Sequence, residues 1–131
     1  MQEILKNAKL EDQTLEIQEA LQVLYERINK VRAAYAKPMI VTSGLRTMED
    51  HLRIYRQKGI TDQSKIPMKS KHLFGQAVDV SDPKGEVKAW VKANLDLIEK
   101  IGLWMEAFDH TPTWVHFQIV PPASGRRFFI P

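Results

Sequence analysis

Two histidines and one aspartate have the residue types and the spacing of a metal site. His72 and Asp79 lie seven positions apart in the stretch SKHLFGQAVD, where Gly75 permits a bend before a β-rich run. His116 lies in the later stretch WVHFQ, and strand alternation would direct it to the same face as Gln118. Two neutral imidazoles and one carboxylate would leave a fourth metal position open for water, which is typical of catalytic rather than structural zinc. Taken singly, each histidine could instead be a buried, hydrogen-bonded side chain, and Asp79 could cap a strand end.

The composition limits the kinds of metal ligand, nucleophile and partner that the chain can have. The 131 residues include no cysteine, which excludes disulfides, thiolate ligands and a cysteine nucleophile. The net charge of +3 could assist approach to an anionic polymer, but it does not choose between a cell wall and a nucleic acid. The sequence shows neither a signal peptide nor an apolar run long enough to span a bilayer. We therefore expect a protein that is cytoplasmic as synthesised and does not insert into membranes.

A long helix is the first element that the sequence predicts. From Leu10 to Tyr35, residues recur at alternating spacings of four and three along one helical face, and Pro38 ends the pattern. The stripe could form the seam of a coiled-coil dimer. We favour a core helix that lies across a sheet in a monomer, because the rest of the chain needs a cover. The stripe consists of Leu10, Thr14, Ile17, Leu21, Leu24, Ile28, Val31 and Tyr35.

A short strand and a second helix follow. Residues 38–44, PMIVTSG, predict a buried strand. Thr47 and Asp50 have the spacing of a capping box at the start of a helix, and Gly59 suits the left-handed residue that ends it. Residues 60–71 are polar and indicate an irregular connection.

The second half of the chain predicts one more helix between strands. Residues 76–80 indicate a strand. Asp82 and the proline after it would cap and begin a helix that runs to Gly102. Residues 103–107 and 114–120 then predict a hairpin with a wide loop.

These elements predict one α+β domain over residues 1–131, with a small, mostly antiparallel sheet covered by helices. Residues 1–37 would supply an amphipathic N-terminal helix on or beside the core. The last stretch, PPASGRRFFIP, predicts a turn and a final extended segment that packs on the domain. Arg126 and Arg127 in that stretch could also contact an acidic wall polymer.

Three blocks of the sequence resemble the zinc D-alanyl-D-alanine peptidases, whose fold is shared with lysostaphin-type peptidases and the hedgehog signalling domain. The blocks are SGLR, which ends at Arg46, then SKHLFGQAVD, then WVH, in the family's order and with a family-like helix before the third. The resemblance implies a hedgehog/D-Ala-D-Ala-peptidase-like fold and a Zn²⁺ cofactor bound by His72, Asp79 and His116. It also implies that Arg46 contacts carbonyl or carboxylate oxygens of the substrate, to which a guanidinium can donate two parallel hydrogen bonds. His51, among charged residues on the next helix, is interpreted as solvent-facing.

The catalytic base is the point at which the chain departs from the family pattern. Many members carry an acidic residue three positions before the last histidine ligand, and this chain has Thr113 there. A threonine cannot take a proton from water at neutral pH. Glu106 is our preferred substitute, because in a hairpin it would lie directly across from His116 on the same face. Asp109 and His110, in the loop, are the next candidates.

The resemblance implies zinc-dependent hydrolysis of D-Ala-containing stem peptides of peptidoglycan, by an endopeptidase or a carboxypeptidase of the D,D or L,D type. The small size and the lack of an export signal resemble a phage or prophage endolysin, which waits in the cytoplasm until a membrane pore releases it. Two alternatives stay open. Thr113 also fits a catalytically inactive zinc module that binds cell-wall peptide or a protein, and the N-terminal stripe fits a coiled-coil interaction protein.

Overall fold

A computed structural model describes residues 1–66 and 70–130 of the chain. This part contains five α-helices, five strands and several short 3-10 turns, in the α+β arrangement that the sequence predicts. The helices are α1 (Gln2–Leu5), α2 (Leu15–Tyr35), α3 (Met48–Gln57), α4 (Glu86–Ala93) and α5 (Leu95–Ile101). The strands are β1 (Val41–Ser43), β2 (Ala77–Ser81), β3 (Trp104–Glu106), β4 (Trp114–Gln118) and β5 (Phe128–Phe129).

The five strands form one sheet in the order β1-β2-β4-β3-β5. Neighbouring strands are antiparallel except β3 and β5, which run parallel, so the prediction of a mostly antiparallel sheet is confirmed. β2 and β4 pair along their whole length near the centre of the sheet. Their alternate residues enter the hydrophobic core and are fully buried: Val78, Val80, Val115 and Phe117. The opposite face of the same two strands is therefore free to carry polar side chains.

Helix α2 buries its apolar stripe in the chain's own core, as the core-helix interpretation expects. The helix begins later than predicted, because the Thr14 hydroxyl caps it by accepting a hydrogen bond from the Ile17 amide at 3.2 Å. Leu10 instead belongs to a separate 3-10 turn that precedes this cap. At the other end Ala36 adopts a left-handed conformation before Pro38. The buried residues of α2 are Leu21, Leu24, Ile28, Val31 and Tyr35.

The strand and helix after α2 are confirmed with shorter bounds than predicted. β1 covers three residues of the predicted segment 38–44. The Thr47 hydroxyl accepts a hydrogen bond from the Asp50 amide and so caps α3, and Gly59 lies just past its end with φ of 82°. Of the predicted irregular connection 60–71, residues 67–69 lie outside the described residues.

The single helix predicted from Asp82 to Gly102 is wrong in detail, because the structure has two helices there. The residues after Asp82 form a turn, and α4 begins at Glu86. The Asp82 carboxylate still caps this helix, since its two oxygens accept hydrogen bonds from the amides of Val87 and Lys88 at 2.9 and 3.0 Å. Asn94 separates α4 from α5 with φ of −130°, and its side chain donates to a carbonyl of the preceding turn.

The C-terminal half closes the sheet as predicted. β3 and β4 form the expected antiparallel hairpin, and β5 is the final extended segment that packs on the domain. Arg127 is engaged in the fold: its guanidinium donates to the Leu103 carbonyl at 2.8 Å and lies 4.5 Å from the centre of the Trp104 ring. Among the described residues, none of the helices has both the length and the apolar character needed to cross a bilayer.

Candidate metal centre

The polar face of the two central strands carries two of the three predicted ligands. Asp79 lies in the middle of β2 and His116 in the middle of β4, and the sheet register places them directly opposite each other. His72 comes from the 3-10 turn Lys71–Phe74, which ends at Gly75 with φ of 68°. A side chain at Gly75 would also lie 2.9 Å from Leu21 of α2. Glycine is therefore required where the chain turns from His72 into β2.

The structure brings the three predicted ligands together. One ligand atom from each of His72, Asp79 and His116 can be chosen so that all lie within 4.8 Å of one another. The Oδ1 atom of Asp79 is 2.9 Å from Nδ1 of His116, and its Oδ2 atom is 3.3 Å from Nε2 of His72. Both histidines are 5% exposed, so their rings are largely shielded from water.

Each imidazole also forms a hydrogen bond through the ring nitrogen that faces away from Asp79. Nδ1 of His72 donates to the Gly44 carbonyl at 2.9 Å, and Nε2 of His116 lies 2.9 Å from Oε1 of Gln118. The nitrogens left to face Asp79 are therefore Nε2 of His72 and Nδ1 of His116. Outer hydrogen bonds of this kind fix the orientation and the tautomer of metal-binding histidines.

The charges within the group favour an ionised carboxylate at its centre. Burial raises the pKa of Asp79, but hydrogen bonds from His116 and His72 outweigh burial and hold this pKa well below its usual range. Burial lowers the pKa of His116, but its hydrogen bond to Asp79 more than compensates, so the net pKa is raised. Asp79 is thus present in the deprotonated form that binds metals.

The donor set fits a zinc ion. Imidazole nitrogens and a carboxylate oxygen are ordinary ligands of zinc. The three residues offer one such atom each, and these atoms lie within 4.8 Å of one another. Two imidazole nitrogens and one carboxylate also leave a coordination position for water or substrate.

Arg46 lies next to the metal group through the backbone. Its amide donates to the His72 carbonyl at 3.0 Å, so the loop that carries Arg46 is joined to the turn that carries the first ligand. Its guanidinium is half-buried and donates through Nη1 to Nδ1 of His51 at 3.2 Å. The interpretation of His51 as solvent-facing is wrong: the side chain is fully buried, and its ring lies 4.9 Å from that of Tyr55. A buried histidine on the first turn of α3 therefore helps to orient Arg46.

Glu106 lies across from His116, as the predicted hairpin requires. Met105 pairs with Phe117, so the next residue of β3 is opposite His116. An oxygen of Glu106 is 3.8 Å from Nδ1 of His116, and the side chain is 21% exposed. The close metal-binding set of the described residues does not include Glu106. Glu106 is thus beside the metal group and partly exposed to solvent.

The two alternative candidates for the base are exposed and lie outside the metal group. Asp109 and His110 occupy the exposed 3-10 turn Phe108–His110, where Asp109 lines a shallow pocket of about 230 Å³ with Lys92 and Phe128. Thr113 is exposed, and its carbonyl accepts a hydrogen bond from the Asp82 amide at 2.8 Å. The catalytic roles of Glu106, Arg46 and Asp109 stay predictions.

Two residues of the C-terminal region join the site without having been assigned a role from sequence. Gln118 contacts His116 directly, and strand alternation already placed both on one face. The Phe129 ring packs edge-on against His116, with ring centres 6.1 Å apart. The only signal for Phe129 was its aromatic type, because its position depends on the pairing of β5 with β3.

An α+β domain with a His-Asp-His group, an adjacent carboxylate and an adjacent arginine has the arrangement of a metal-dependent hydrolase. A sequence model of the family Peptidase M15 matches residues 1–117, and the chain belongs to this family of zinc D-Ala-D-Ala peptidases. Comparisons with curated proteins and with solved structures found no match. The family match includes the three ligand candidates and ends one residue before Gln118.

Proposed function

We propose that the chain is a zinc-dependent peptidase that hydrolyses peptide bonds in D-Ala-containing stem peptides of peptidoglycan. The supporting observation is the convergence of His72, Asp79 and His116 within 4.8 Å in a member of the Peptidase M15 family. Zinc bound to these residues would polarise the scissile carbonyl and lower the pKa of water at the remaining position.

Glu106 is proposed as the general base. Its carboxylate takes a proton from the attacking water as the water oxygen bonds to the carbonyl carbon, and it returns that proton to the amine nitrogen when the C–N bond breaks. Its position beside His116, together with its partial exposure, supports this role. No other carboxylate of the described residues, apart from Asp79, forms an ion pair with the metal group.

Arg46 is proposed to hold the substrate. Its guanidinium retains donors beyond the one directed at His51, so it can form hydrogen bonds to a carbonyl oxygen or a terminal carboxylate of the peptide. The backbone hydrogen bond to the His72 carbonyl supports this role, because it joins the loop that carries Arg46 to the turn that carries the first ligand. An endolysin of phage or prophage origin is the biological setting we propose, by analogy alone.

The test is digestion of purified muropeptides, read by mass spectrometry, with zinc and with a chelator. We expect cleavage that the chelator abolishes and zinc restores. Glu106→Gln should retain the fold and the bound zinc but lose about 10²–10⁴-fold in rate. Glu99→Gln is the matched control, because Glu99 is a largely exposed carboxylate paired with Arg127. Bound zinc without any cleavage, together with retained binding of stem peptides, would instead establish an inactive binding module.

A further inference from the structure

Gln118 is a buried polar residue whose hydrogen-bonding groups are both engaged. It is 2% exposed and lies two residues after His116 on the same face of β4. Its amide nitrogen donates to the Val120 carbonyl at 2.8 Å. Its amide oxygen lies 2.9 Å from Nε2 of His116.

These two contacts fix the direction of the amide. A carbonyl can only accept, so the amide NH₂ group must face Val120 and the amide oxygen must face His116. That oxygen has no proton to give, so Nε2 of His116 must carry the hydrogen. Nδ1 then remains on the side of Asp79, 2.9 Å from its carboxylate.

We infer that Gln118 is a positioning residue for zinc: it holds His116 in the Nε2–H tautomer and presents Nδ1 to the metal. The inference rests on the proposed zinc site and adds a residue that the family match, which ends at residue 117, does not include. The two ring nitrogens of His72 have the reverse roles: Nδ1 donates to the Gly44 carbonyl, and Nε2 faces Asp79. The two histidines therefore need different partners, a carbonyl for one ring and an anchored amide oxygen for the other.

A neutral amide also affects the charge of the site. Zinc with two neutral imidazoles and one carboxylate has a net charge of about +1. A carboxylate at position 118 would still accept the Nε2 hydrogen bond but would offset this charge. Gln118 fixes the ring while it leaves the positive charge available to activate water.

The first test measures zinc affinity by competition with a chromophoric chelator. We expect Gln118→Leu to weaken zinc binding about 10–100-fold, as loss of an outer hydrogen-bond partner typically does. Val115→Ala is the matched control, because Val115 is fully buried on the opposite face of the same strand and its truncation loosens β4 without touching His116. Wild-type affinity in Gln118→Leu, or an equal loss of affinity in Val115→Ala, would overturn the inference.

A second test needs no variant and so does not depend on whether the variants fold. Long-range ¹H–¹⁵N correlation spectra of zinc-loaded, ¹⁵N-histidine-labelled protein distinguish metal-bound from protonated ring nitrogens. We expect His116 to show a metal-bound Nδ1 and a protonated Nε2, and His72 to show the reverse. A metal-bound Nε2 on His116 would overturn the inference and leave the zinc peptidase intact. Absence of zinc binding in the wild-type protein would overturn the proposed function itself.

Discussion

Gly44→Ala tests whether the N-terminal segment and the metal centre are mechanically linked. A Cβ atom at position 44 would lie 2.1 Å from the carbonyl oxygen of Ile4 and 2.8 Å from its carbonyl carbon. Both are backbone atoms, so no side-chain rotation can relieve the overlap. Ordinary contact requires the two segments to separate by about 1 Å or more.

This separation would lower the free energy of unfolding in two ways. The Leu45 amide donates a hydrogen bond to the Ile4 carbonyl at 2.7 Å, and weakening or loss of this bond would lower the free energy of unfolding by about 1 kcal/mol. Overpacking between the two segments would lower it by roughly a further 1–3 kcal/mol. We therefore expect the melting temperature to fall by roughly 10 °C. Gly44 also supplies the carbonyl that holds Nδ1 of His72, so its displacement should weaken zinc binding about 10–100-fold.

Thermal unfolding followed by circular dichroism and zinc titration by chelator competition measure the two effects. Gly59→Ala is the control, because Gly59 has a φ of 82° but open space around its Cβ position. It should cost about 1–2 kcal/mol of stability and leave zinc affinity unchanged. A Gly44→Ala protein that melts and binds zinc like the wild type would contradict both expected effects. A protein that is destabilised but binds zinc normally would show that Ile4 moves away and the site does not follow.

Three further predictions concern single side chains. Asp79→Asn should weaken zinc binding by more than about 100-fold, since it removes the only anionic ligand of the proposed site; an unchanged equilibrium-dialysis result would exclude Asp79 as a ligand. Arg46→Lys should lower kcat/KM on stem peptides about 10²-fold at unchanged zinc content, because an ammonium cannot donate two parallel hydrogen bonds; equal activity would remove Arg46 from substrate binding. The hydrogen bond from Arg32, together with other contacts that outweigh burial, lowers the pKa of Glu3 below 4.5. Its partly exposed ion pair should therefore add about 0.5 kcal/mol of stability that is complete above pH 4.5 and is lost as pH falls through the lowered pKa. In urea unfolding, Glu3→Gln should differ from the wild type at pH 7 and converge with it in acid; a difference that persists in acid would contradict this assignment.

Local patterns were sufficient to predict the centre of the sheet. Strand alternation predicts the face of Asp79 and His116 because side chains on a strand point to opposite sides with a period of two. The predicted hairpin places Glu106 beside His116 because the register of its strands follows from the position of the loop. Neither inference depends on distant parts of the chain.

Features that depend on distant partners or on competing local hydrogen bonds were not predicted. His51 has charged neighbours in sequence, but tertiary packing buries it and brings it against Arg46. The position of Phe129 beside His116 depends on a parallel pairing between strands more than twenty residues apart. The break between α4 and α5 depends on the side chain of Asn94, which bonds to the backbone locally and interrupts an otherwise helical pattern.

The difference between local sequence spacing and strand pairing explains how an acidic base can be supplied from a different position in the chain. A residue three positions before His116 lies at the entrance to β4, where the Thr113 backbone is tied to Asp82 and the side chain is exposed. Glu106 belongs to β3, which is paired on one side with β4 and on the other with β5, so its direction is set by two ladders of hydrogen bonds. General-base catalysis requires a carboxylate within reach of the attacking water and places no demand on its position in the sequence. Cross-strand register is therefore a better guide to the proposed base of this chain than the spacing of acidic residues around the last histidine.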